Sequence, residues 1–164
     1  MMKKYLTNLL RPALFILAAT LALPAFAADE SATINMEIMA QKVKADKKLL
    51  VADNMTLTDA EAKAFWPVYD AYQQDLYQIN LRMAKVINEY AVAYNKGAVL
   101  DDTAKKLLDE AISIELAEAN LKKSYVPKLT KAIPAAKAAR YMQIENKIRA
   151  LIRYQLAEAI PLVQ

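Results

Sequence analysis

The chain of 164 residues has no cysteine, no histidine and a single glycine. Without cysteine no disulfide can staple the fold, even in an oxidising compartment, so packing alone must hold it together. Without histidine the chain lacks the commonest general base and the commonest transition-metal ligand. No Ser/His or Cys/His nucleophilic pair can be assembled, so Ser31, Ser113 and Ser124 have no base of the usual kind. One glycine, Gly97, leaves no room for a glycine-rich phosphate loop. Strand-type alternation of apolar and polar residues is missing, and no apolar run reaches the ~20 residues needed to span a bilayer. These absences exclude the usual enzyme classes and predict an all-α protein.

What is present begins with the N-terminus. Lys3, Lys4 and Arg11 make a basic start, Ala13 to Leu23 form an apolar run of 11 residues, and Pro24 breaks it. Ala25-Phe26-Ala27 then places small residues at −3 and −1 of a cut between Ala27 and Ala28. This is the plan of a cleaved secretory signal peptide over residues 1–27, and it predicts a periplasmic, soluble mature protein. The remaining 137 residues suit one domain: a disordered stretch over 28–34, then a single helical domain over 35–164.

Export also changes the charge. The net value of +4 falls to +1 once Lys3, Lys4 and Arg11 are removed. The remaining charge is segregated: residues 53–75 and 101–118 each sum to −4, and residues 122–153 sum to +8. The basic block contains Lys122, Lys123, Lys128, Lys131, Lys137, Arg140, Lys147, Arg149 and Arg153. Such a block either pairs with the acidic segments and solvent, which gives weak bonds, or forms a handle for an anionic partner. Nucleic acid is not an expected partner outside the cytoplasm.

The periodicity predicts four helices. The first runs from about Asn35 to Ala52, with Met36, Met39, Val43 and Leu50 on its apolar face and Lys42, Lys44, Lys47 and Lys48 around the rest. The second opens on a capping box, Thr58-Asp59-Ala60-Glu61, in which hydroxyl and carboxylate each accept from the other residue's backbone N–H. Phe65, Tyr69, Tyr72, Leu76, Ile79, Met83, Val86 and Tyr90 follow in steps of 4 and 3, a coiled-coil seam. Pro67 is expected to kink this helix or restart it near Trp66, and Gly97 to end it in a left-handed conformation.

Asp101 or Asp102 is the expected cap of the third helix, whose stripe is Leu107, Ala111, Ile114, Ala117 or Glu118, Leu121 and Tyr125. Pro127 should kink or end it, and Pro134 should sit in the first turn of a fourth helix carrying Tyr141, Ile144, Ile148, Leu151 or Ile152, and Leu156. A second helix about 57 Å long suggests an elongated antiparallel hairpin with flanking helices. A second apolar line, Trp66, Ile87 and Tyr94, widens its face, and a homodimer or a bound partner is expected to cover it.

A secretory signal, a short helix, then Leu57-Thr58-Asp59-Ala60-Glu61 with Ala62-Lys63-Ala64-Phe65-Trp66 opening a long hairpin resembles the Spy/CpxP-like family of small periplasmic proteins. The hallmark there is a twice-repeated Leu-Thr-x-x-Gln; this chain has Glu for Gln in the first copy and reads Ala132-Ile133-Pro134-Ala135-Ala136 in place of the second. The resemblance implies an ATP-independent chaperone or a stress-linked adaptor, or a metal sensor in the relatives that carry histidines.

No catalytic residue and no cofactor is expected. The acidic pairs Asp101-Asp102 and Asp109-Glu110, with Glu115 and Glu118, read as helix-terminal and solvated positions more readily than as an acid/base site. Met36, Met39, Met55, Met83 and Met142 suit core filling, with soft-metal binding as the alternative. Gln143 and Asn146 beside Glu145 and Arg149 suit either a buried polar network or ordinary solvation. The expected contact surface for unfolded or membrane-associated clients, or for one specific envelope protein, is Lys42, Lys44, Lys47, Lys48, Trp66, Tyr77, Tyr94, Arg140, Arg149 and Arg153. Charge would speed encounter there, and apolar contact would prolong it.

Overall fold

The computed structural model describes residues 30–163, with side chains from Lys42 onward. The signal segment 1–27, the Ala27/Ala28 cut and the side chains of Met36 and Met39 lie outside the described residues. Within them the fold is all-α: α1 (Glu30–Met55), α2 (Asp59–Asn95), α3 (Asp101–Ala132) and α4 (Ala135–Ala159). No helix among the described residues is long and apolar enough to cross a membrane.

Helix α1 begins five residues before Asn35, so residues 30–34 are helical rather than a disordered lead-in. It ends where Thr56 takes a positive φ of 48°. Helix α2 starts as the sequence predicts. The Glu61 N–H donates to Thr58 Oγ1 at 3.3 Å, and the Thr58 N–H donates to Glu61 Oε2 at 2.8 Å. Pro67 removes one backbone bond, yet the helix does not restart near Trp66; it runs unbroken for 37 residues, about 55 Å. Gly97 closes it at φ 101°, with its N–H donating to the Tyr94 carbonyl at 3.0 Å.

The cap of α3 is Leu100 rather than either aspartate. Asp101 and Asp102 lie inside the first turn, where carboxylates act on the positive helix end without making a cap bond. Pro127 does not end α3, which continues to Ala132. Pro134 stands just before α4, and its carbonyl accepts from the N–H groups of Lys137 and Ala138 at 2.9 and 3.0 Å.

The chain divides into two compact units. One comprises α1 through Thr56 together with Ile144–Ile160; the other comprises Leu57–Gln143 and the residues from Pro161 onward. In the second unit α2 and α3 pack along each other. Their register is antiparallel: Tyr72 meets Tyr125, Arg82 meets Glu110 and Glu89 meets Lys106. The core of this unit is Phe65, Tyr69, Tyr72 and Leu76 from α2, Leu107, Ile114, Tyr125 and Leu129 from α3, and Tyr141 from α4. In the first unit Val51 and Met55 are fully buried.

Candidate functional site

The second unit is held at one end by stacked rings. Tyr141 packs edge-on against Phe65 and Tyr72, with centroids 5.1 and 5.9 Å apart. Tyr72 in turn packs edge-on against Tyr125 at 5.2 Å. Rings in this arrangement place a positive edge on a negative face and add to what burial alone supplies. The phenol groups are satisfied too: Gln73 Nε2 donates to Tyr141 Oη at 3.1 Å, and Tyr125 Oη donates to Asp75 Oδ2 at 2.6 Å. Burial, and then the adjoining Asp75 carboxylate, push the Tyr125 phenol up to about 12.

Ion pairs tie the surface of this unit, among them Lys106–Glu89 and two that shift a carboxyl, Lys137–Glu61 and Arg82–Glu110. Lys137 donates to Glu61, the residue that also closes the capping box, and this bond together with the Thr58 N–H holds the Glu61 carboxyl below the usual carboxylate range. Arg82 donates to Glu110 at 2.9 Å and to Ser113 Oγ at 2.9 Å, which lowers the Glu110 carboxyl and raises the guanidinium. Ser124 donates to the Leu121 carbonyl. Ser113 and Ser124 are thus engaged in structural bonds.

The ten residues expected to form one contact surface divide between the units. Lys42 and Lys44 are exposed on α1, while Lys47 and Lys48 are half-buried. Lys47 donates to Glu145 Oε2 at 2.9 Å, and Glu145 is itself buried. Arg149 is half-buried and Arg153 exposed. In the other unit Arg140 is exposed and Tyr77 is 53% exposed. Trp66 is half-buried, edge-on to Phe65 and Tyr69, and Tyr94 is half-buried against Tyr90. Two of the three off-seam aromatics are therefore largely packed, because a ring one step from the seam still reaches its neighbours. Gln143 and Asn146 are exposed, and the polar pairing beside them is the Lys47–Glu145 bond. Met55 is buried and Met83 and Met142 are half-buried. Among the described residues no group of three or more acidic side chains is placed to hold a metal ion.

The structure adds a surface that the sequence reading missed. Leu81 and Val92 stand exposed with Tyr77 on the outer face of α2. Leu108, Ile112, Leu116 and Val126 stand exposed on the outer face of α3. The signal is in the sequence: Leu108, Ile112 and Leu116 recur every four residues, beside the Leu107-Ile114 stripe. Exposed single leucines are ordinary, whereas apolar rows along one helix face mark contact surfaces. Comparison with protein-family models, with curated proteins and with solved structures finds no match to this chain.

Proposed function

We propose that this is an exported periplasmic protein that holds unfolded clients without ATP, using the outer apolar rows of the α2–α3 hairpin. The observation that carries the reading is the exposure of Tyr77, Leu81 and Val92 on one helix and of Leu108, Ile112, Leu116 and Val126 on its neighbour. A stable hairpin with a packed aromatic end can present such rows without collapsing on them. Exposed Lys85 and Lys123 stand beside the rows and supply charge for encounter. The basic N-terminus and the Ala25-Phe26-Ala27 cleavage pattern support the compartment.

Light scattering of a heat-aggregating test enzyme, with no nucleotide present, measures the activity. Stoichiometric protein is expected to suppress aggregation, and the triple variant Tyr77→Ser, Leu81→Ser, Val92→Ser is expected to lose most of that effect. Unchanged aggregation in the presence of the unmodified protein would overturn the reading.

A further inference from the structure

The two outer rows differ in the charge that borders them. On α3, Leu108, Ile112 and Leu116 recur every four residues, and each is more than half exposed. Asp109, one position after Leu108, and Glu115, one before Leu116, fall on opposite edges of this row. Both are exposed, as are Asp101 and Asp102 in the first turn of the helix. The cations nearby answer little of this charge. Lys106 is bonded to Glu89 of α2 at 3.0 Å, and Arg82 is taken by Glu110. Exposed Lys105 stands four residues from both Asp101 and Asp109, so that end of the row stays acidic. The next exposed lysine, Lys123, lies seven residues past Leu116, about 10 Å along the axis. On α2 the row of Tyr77, Leu81 and Val92 has the opposite border. Lys85 and Lys96 are exposed there, and the acid between them, Glu89, is half-buried and shared by Lys85 at 3.8 Å and Lys106. The line of Trp66, Ile87 and Tyr94, expected from the sequence to need a partner, is half-buried by the chain itself.

We infer that the outer face of α3 takes cationic amphipathic segments, in which lysine or arginine flanks an apolar row. This rests on the reading of the outer rows as contact surfaces, and it names the class of segment that one of them prefers. A helix laid on the row sets its apolar residues against Leu108, Ile112 and Leu116. Cations at its two edges then reach Asp109 on one side and Glu115 on the other. Lysine and arginine suit both tasks, since their stems cover apolar surface while the head stays in water beside a carboxylate. An acidic segment of the same shape meets carboxylates at both edges and is repelled, so the face selects by exclusion as well as by attraction. Each of these ion pairs is exposed and weak alone. Their sum sets which segment is preferred, and the apolar row holds it.

Fluorescence anisotropy of two labelled peptides with the purified protein tests this. One peptide is an amphipathic helix of leucine and lysine; the other has glutamate in place of every lysine. The Leu/Lys peptide is expected to bind about tenfold more tightly at low salt, and the preference to shrink in about 1 M NaCl, where screening acts within ~3 Å. Asp109→Lys with Glu115→Lys is expected to invert the preference, weakening the Leu/Lys peptide about tenfold and strengthening the Leu/Glu one. A misfolded variant would not gain a ligand in this way. Ile112→Ser should weaken the Leu/Lys peptide about tenfold, and Val92→Ser on α2 should leave it unchanged. Equal affinity of the two peptides for the unmodified protein, a preference unmoved by the double reversal, or a loss from Val92→Ser as large as that from Ile112→Ser would overturn the inference. Suppressed aggregation of the test enzyme with equal peptide affinities would remove this inference and leave the holding activity. A Leu/Lys preference without suppression would do the reverse.

Discussion

At the scale of single residues, two contacts join a charged group to a buried one. Tyr125 donates to Asp75 at 2.6 Å, and Lys128 Nζ lies 4.0 Å over the same ring. The folded phenol holds its proton to about pH 12, whereas an unfolded tyrosine releases it near 10. The stabilisation is therefore complete below about pH 10 and is lost as the pH rises through 12, a contribution of roughly 2–3 kcal/mol. An ultraviolet titration should show one tyrosine ionising well after the exposed ones. Asp75→Asn should bring it down part of the way, because burial, the larger cause, remains; all tyrosines ionising together would contradict this. In the other unit Lys47→Ala would leave the buried Glu145 carboxylate without its lysine at 2.9 Å. A loss of about 3 kcal/mol is expected from chemical denaturation.

At the scale of elements, the termini of α2 are the best-determined features of the chain. Thr58→Ala deletes the hydroxyl of the capping box and should cost about 1 kcal/mol. Glu61 has three duties, since it donates its backbone N–H to Thr58, accepts from the Thr58 N–H and accepts from Lys137. Its carboxyl is held low, first by Lys137 and then by the Thr58 backbone. The stabilisation is therefore present above an unfolded value near 4.3 and is lost as the pH falls below it. Melting temperature should fall less steeply between pH 5 and pH 3 in Glu61→Gln than in the wild type, and identical slopes would show that the bond contributes nothing. The interior prolines show the limit of local rules: Pro67 and Pro127 each delete one backbone bond, and the rest of a long, packed helix carries the chain through.

At the scale of the whole molecule, the helical class, the four helices and the antiparallel hairpin follow from pattern. The capping box, Gly97 and the seam from Phe65 to Leu76 need only the chain's own spacing, because each is a local match of residue to backbone geometry or to a period of 3.5. What the pattern did not yield is coverage. Ile79, Met83, Val86 and Tyr90 continue the seam in register but are only half-buried, since a period says which face is apolar and not whether a neighbour lies over it. For the same reason Leu107 and Leu108 are equivalent in the sequence, and only packing buries the first and exposes the second. Glu118 is the converse case, a carboxylate in the apolar row of α3 that tertiary contacts bury to 3% exposure. Lys47 and Glu145, 98 positions apart in sequence, meet only after folding. The sequence by itself determined the helical class, the two ends of α2 and which faces are apolar, because those depend on neighbours within a few residues. Only the tertiary structure decided which apolar rows remain open for a partner, because burial depends on residues far away along the chain.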